Sequence, residues 1–162
     1  VAGLPLYQTK IHPDWIDYNG HLRDAYYALI VSQASDALMD RVGLDATYRN
    51  RTGCTLYTVE MHIHYLHEVK ETDTVTVELR LTGADRKRIH AAFELARGGQ
   101  PQVVATAEVM MLHIRQHGDE VSTVPFPAEV SAALAELHAA SACLPAAGPG
   151  SRRMELAQPR HA

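Results

Sequence analysis

The feature that most restricts what this chain can fold into is a single change of period. From Tyr27 to Val42 the apolar residues Tyr27, Ile30, Ala34, Ala37, Leu38 and Val42 recur every three or four positions, which is one face of a helix. From Cys54 onward the period becomes two: Tyr57, Val59, Met61, Ile63 and Tyr65 alternate with Thr58, Glu60, His62 and His64. Alternating runs follow over Thr74–Leu81, Arg88–Leu95 and Gln102–Ile114, separated by turn signals at Gly83-Ala84-Asp85 and Gly98-Gly99. Leu6–His12 predicts a short strand before the helix. Asp24 is the expected N-cap, and Gly43 supplies the left-handed residue that ends many helices. Thr47–Gly53 reads as a loop, and Pro127–Ala140 as a second, shorter helix with Val130, Leu134 and Leu137 on one face.

One strand, one long helix and four consecutive strands joined by tight turns predict an α+β fold. Tight turns make sequential strands antiparallel neighbours, and the helix must bury its apolar face on the sheet they form. The expectation is an antiparallel sheet of about five strands around one long central helix, in a domain covering residues 1–144. The Pro-, Gly- and Ala-rich residues 145–162 read as a flexible tail.

With 162 residues, 46% hydrophobic and 21% charged, the chain can bury a core without metal or disulfide staples. A net charge of -4 argues against nucleic acid as the main partner. No run of about 18 apolar residues predicts a membrane span. The two cysteines, Cys54 and Cys143, are far apart and fit a reducing, cytoplasmic setting.

The chemistry-bearing stretch is the loop Pro13-Asp14-Trp15-Ile16-Asp17-Tyr18-Asn19-Gly20-His21. On turn propensity alone Asp17 is more readily a cap than a catalyst. A carboxylate in such a loop can also act as general base or covalent nucleophile, with loop and helix N–H groups facing an oxyanion. Asp14 ranks below it as a surface charge. Asn19 is a candidate to position water. His21 either orients the carboxylate or ties the loop to the helix, the second being favoured. Glu60 shares a strand face with Thr58, His62 and His64, and that face is either a groove or a solvated sheet surface. His62 and His64 point the same way, but with no further ligand at metal spacing the expectation is no metal.

Trp15, Tyr18, Tyr26 and Tyr27 cluster within a short stretch. Tyr27 fits the helix core. Tyr26 and Trp15 either pack the helix and the loop or, with Tyr18, are candidates to contact a ligand, because aromatic faces attract cations. Arg86, Lys87 and Arg88 are a candidate anion site or a solvated hairpin tip.

The loop Asp17-Tyr18-Asn19-Gly20-His21 followed by Tyr26-Tyr27, inside this order of elements, resembles the 4-hydroxybenzoyl-CoA thioesterase-like branch of the hotdog superfamily. The blocks Trp15–His21, Tyr57-Thr58-Val59-Glu60, His62–Leu66 and Lys87–His90 are similar to the betainyl-CoA thioesterase group, which occurs alone or fused behind an L-carnitine dehydrogenase domain. One departure is Thr72-Asp73, where many relatives carry Gly-Asp. The resemblance implies a hotdog acyl-CoA thioesterase, with betainyl-CoA as first substrate and coenzyme A as part of that substrate rather than a cofactor. It also implies a homodimer or dimer of dimers with sites at the seam, and L-carnitine dehydrogenase as a partner. It places Asp17 on the family's catalytic carboxylate, with Asn19 and Glu60 as further catalytic candidates. Trp15, Tyr18, Gly20, His21, Tyr26, His62, Arg86, Lys87 and Arg88 are the substrate-binding candidates. Two alternatives stay open: another short or aromatic acyl-CoA as substrate, or a non-catalytic module that binds acyl-CoA.

Overall fold

The structure, a computed structural model, describes residues 3–100 and 102–144. The tail expected over residues 145–162 lies outside them. Strand β1 (Leu4–Lys10) leads through a short 3-10 turn (Pro13–Trp15) into helix α1 (Asp24–Arg41). Helix α2 (Ala46–Thr52) precedes strands β2 (Cys54–Tyr65), β3 (Thr74–Ala84), β4 (Arg88–Arg97), β5 (Val103–His117) and β6 (Glu120–Thr123), and helix α3 (Ala128–Ala142) follows. The predicted loop at Thr47–Gly53 is therefore largely helical. Asp45 caps α2, its carboxylate accepting Tyr48 N–H at 2.8 Å, and Gly53 ends it at φ +66°. Asp24 is the first helical residue of α1 rather than its cap, which is Arg23.

The sheet runs β1-β3-β4-β5-β2, entirely antiparallel, with β6 added to the end of β5. This corrects the expectation of four sequential neighbours. β2 pairs with β5, not with β3. The physical reason is the connection Leu66–Asp73. Eight residues span up to about 26 Å, ample for the three strand spacings of roughly 14 Å that separate β2 from β3. Its Val69 is fully buried, and Val69 O accepts Leu22 N–H at 2.7 Å, so the crossing is pinned to the chain entering α1. Asp73 closes the turn by accepting Lys70 N–H at 2.9 Å.

Helix α1 lies in the concave face. Tyr27, Ile30, Val31, Ala34, Ser35, Leu38 and Met39 are buried, and Ser35 Oγ donates to Val31 O, which lets a polar residue sit in the apolar stripe. The facing strands present Val75, Val77, Leu79, Leu81, Ile89, Ala91, Phe93, Leu95, Ala105, Ala107, Val109 and Met111, all buried. Helix α3 packs Val130, Leu134 and Leu137 into the same core. A β-bulge after Leu81 frees its N–H, which donates to Ser141 Oγ at 2.9 Å.

β2 carries a second bulge, at Val59. One extra residue exchanges the two faces of the strand. Glu60, His62 and His64 lie opposite Met110, Glu108 and Thr106 on the face away from α1, whereas Thr58 lies opposite Met111, on the buried side. The expected polar row Thr58–Glu60–His62–His64 is thus broken at its first member, and Tyr57 joins the outer face instead.

Candidate active site

The Asp17 loop is a miniature hairpin closed by an isolated bridge between Ile16 and Leu22. Asp17 N–H donates to His21 O at 2.8 Å, and Gly20 N–H to Asp17 O at 3.0 Å. Gly20 takes φ +81°, a conformation a side chain disfavours, and this sets the glycine at that place. Asp17 Oδ1 accepts the N–H of Asn19 at 2.8 Å and of His21 at 3.2 Å. The His21 N–H, then the Asn19 N–H, hold the carboxyl below its ordinary value of 3.8, against slight desolvation. The turn-bracing reading of Asp17 is seen in Oδ1, and the carboxylate remains ionised at the surface.

That carboxylate lines an open cavity of about 410 Å³. One wall is the start of α1, with His21, Arg23 and Asp24. The other is the β2–β3 connection, with Tyr65, Leu66 and Glu68, and Tyr27 lies between them. His21 Nε2 is 3.0 Å from Glu68 Oε2, so its side chain ties the loop to the β2–β3 connection and not, as expected, to the helix. Arg97 Nη2 donates to Glu68 O at 2.6 Å and Arg97 Nε lies 3.2 Å from Asp73, so the wall is fixed from behind. Tyr27 and Tyr65 meet edge to face, centroids 5.2 Å apart at 84°. Burial, then the neighbouring Tyr65, pushes the Tyr27 phenol up to about 12.

The backbone donors are already committed in large part. The N–H groups of Asn19, Gly20, His21, Leu22, Arg23, Ala25 and Tyr26 all have acceptors within the chain. Among the described residues neither the Asp24 N–H at the N-terminus of α1 nor the Tyr18 N–H in the loop has an acceptor, so these are the donors open to a ligand oxygen.

The remaining candidates fall elsewhere. Trp15 stacks on Tyr26 (5.4 Å, 17°) and accepts Arg23 N–H through its carbonyl, packing the loop onto α1. Tyr18 is 94% exposed. None of these three rings lines the Asp17 cavity. Glu60 and His62 pair with each other at 2.7 Å in a separate depression that also holds the His90–Glu108 pair (2.6 Å). Five strand residues, roughly 17 Å, separate Glu60 from Tyr65. Arg86, Lys87 and Arg88 lie at the β3–β4 tip. Arg88 is bound by Asp85 through Nη2 at 2.6 Å and Nε at 2.7 Å, and Arg88 with the Lys87 N–H draws the Asp85 carboxyl down to about 2. Lys87 Nζ donates to Thr123 at 3.2 Å. Tyr65 and Glu68 were not singled out as site residues by the sequence, because only the crossing connection brings them to Asp17, and Asp24 reads there only as a helix cap. Among the described residues no group of three metal-ligating side chains converges, and no helix is long and apolar enough to cross a membrane.

A helix wrapped by an antiparallel sheet, with an ionised carboxylate in the loop that feeds it, is the hotdog arrangement of a thioester hydrolase. A model of the thioesterase-like superfamily matches residues 11–134, and the chain belongs to that superfamily. It is 47% identical to the betainyl-CoA thioesterase of Pseudomonas aeruginosa over 140 residues, 85% of this chain and 87% of that protein. It is 40% identical to the L-carnitine dehydrogenase/betainyl-CoA thioesterase of Rhizobium meliloti over 84% of this chain, which spans 27% of that longer protein. Among solved structures, a candidate thioesterase from Pseudomonas putida KT2440 superposes with a TM-score of 0.82 at 41% identity, covering 98% of this chain and 99% of the other. A Staphylococcus aureus protein in complex with CoA gives 0.83 at 26% identity, covering 97% and 98%.

Proposed function

We propose that the chain hydrolyses betainyl-CoA to betaine and coenzyme A, with Asp17 as the reacting carboxylate. The observation that carries this reading is an ionised Asp17 on the wall of the cavity that the start of α1 also lines. The named activity of the Pseudomonas aeruginosa relative supports the acyl group. As a base, Asp17 takes a proton from water while the water oxygen attacks the thioester carbon. As a nucleophile, it forms a mixed anhydride, expels the CoA thiolate, and water then cleaves the anhydride. Either way the carbonyl oxygen gains negative charge next to the Asp24 N–H and the positive end of α1. The C–S bond then breaks and the thiolate takes up a proton. Asn19 is exposed and does not line the cavity, so its part is the backbone N–H that it gives to Asp17 Oδ1. The reaction needs no cofactor beyond the substrate's own CoA.

The site is completed by a second copy. The free edge of β2 exposes Tyr57 and Val59, an unpaired apolar strand edge that a twofold-related β2 would cover. Antiparallel pairing carries the partner's Tyr57 end to this chain's Tyr65 end. The Arg86–Arg88 tip lies about two strand spacings, roughly 10 Å, from Tyr57, so the partner's tip reaches the Asp17 cavity and offers Arg86 to the CoA phosphates. Within one chain the tip is some 24 Å along β5 from that cavity. The fused relatives support L-carnitine dehydrogenase as the functional partner, and the free thiols of Cys54 and Cys143 support a cytoplasmic setting.

The test is thiol release from betainyl-CoA, acetyl-CoA and benzoyl-CoA by the parent and Asp17→Asn. The expected result is turnover of betainyl-CoA and a loss of about 10²- to 10⁴-fold in the variant. An Asp17→Asn protein as fast as its parent overturns the assignment.

A further inference from the structure

The Asp17 cavity carries more negative charge than ester hydrolysis requires. One carboxylate suffices for the chemistry, yet Asp24 and Glu68 join Asp17 on the wall, opposed by the single guanidinium of Arg23. Glu68 shares one oxygen with His21, and Asp24 Oδ1 accepts Ala25 N–H at 2.9 Å. Tyr65 lines the same cavity, its hydroxyl donating to Asp24 O at 3.4 Å. Its partner ring, Tyr27, is 4% exposed, whereas Tyr65 is 54% exposed, so Tyr65 is the ring with area open to a ligand. Burial and the Asp24 charge both oppose ionisation of the Tyr65 phenol, which keeps the ring neutral.

A carboxylate-rich wall repels an anionic acyl group and offers a neutral one only desolvation. A quaternary ammonium group is different. It has no N–H to donate, so it is held by ring faces and by charge attraction through space. In a betainyl thioester the nitrogen is two bonds from the carbonyl carbon, so the head must occupy the cavity in which that carbon meets Asp17. Trp15 and Tyr18 do not line that cavity.

We propose that Tyr65, flanked by Asp24 and Glu68, forms the subsite that selects a quaternary ammonium head on the acyl group, an inference that rests on Asp17 being the hydrolytic carboxylate. Trp15 and Tyr18 take no part in that selection.

The experiment compares kcat/KM for betainyl-CoA with that for 3,3-dimethylbutyryl-CoA, the same shape with carbon in place of the charged nitrogen. The parent favours the cationic ester. Tyr65→Leu lowers that preference by about 2- to 30-fold, while Tyr65→Phe, which keeps the ring, holds it within about twofold. Glu68→Gln also lowers it, and Trp15→Leu does not. Independently of whether Tyr65→Leu folds, tetramethylammonium chloride competes with betainyl-CoA in the parent, beyond a sodium chloride control, and competes less well in Glu68→Gln. Turnover of betainyl-CoA with a ratio unmoved by Tyr65→Leu and Glu68→Gln overturns the subsite and leaves Asp17 hydrolysis standing. No turnover of betainyl-CoA by the parent overturns both.

Discussion

Gly20 shows how narrowly single residues determine this site. Its added Cβ would meet nothing within 4 Å, so crowding is not the obstacle; φ +81° is. Gly20→Ala is expected to cost about 1–2 kcal/mol of local conformational energy. The loop then loosens around Asp17, and kcat falls more than the melting temperature does. Equal losses in both would place the effect in the fold instead.

His113 makes the complementary case in the core. It is 1% exposed, Nδ1 is 3.0 Å from Val124 O, and Nε2 is 3.1 Å from the Tyr48 hydroxyl. Facing a carbonyl, Nδ1 must carry the hydrogen, leaving Nε2 to accept from Tyr48. Burial lowers its pKa below the ordinary 6.5, so below that pH the unfolded chain takes up a proton the folded chain resists. Its stabilising contribution is complete above 6.5 and declines as the pH falls below it. Thermal melts from pH 7 to 5 should therefore fall more steeply for the parent than for His113→Phe; identical slopes would refute the assignment.

At the scale of elements, α1 and the strand runs are legible in the sequence because each follows a local period. The Asp17 loop is legible for the same reason: its turn, glycine and carboxylate are contiguous. What escapes is anything that depends on a bulge or a crossing. The extra residue at Val59 leaves no mark in an alternating run, yet it moves Thr58 to the opposite face from Glu60 and His62. Nothing local says that Leu66–Asp73 passes across to the far side of the sheet, so Tyr65 and Glu68 read as ordinary strand and loop residues. β2 also carries a prediction of its own. Val59→Lys puts a charge on the free apolar edge and removes burial worth about 1.5–3 kcal/mol in a paired dimer. Light scattering should show at least a roughly tenfold shift toward monomer, with activity falling alongside. A fully dimeric variant would exclude β2 as the seam.

For the molecule as a whole, a shared site predicts complementation. Asp17→Asn damages one half of each site and Arg86→Glu the half given by the partner. Unfolding and refolding the two variants together at equal amounts makes about half of the assemblies mixed, each with one intact site. Activity should then recover to about a quarter of the parent's, though each variant alone is poor. No recovery would mean that each chain works by itself.

The two ends of the strand order have a consequence for how such a domain is built into larger chains. β1 and β2 occupy opposite margins of the sheet, and Leu4, where β1 begins, pairs with Leu79 of β3. A protein joined ahead of Leu4 therefore leaves from the margin remote from β2. It can be large without obstructing either the Asp17 cavity or the free β2 edge, so the domain can follow an upstream enzyme with both left open.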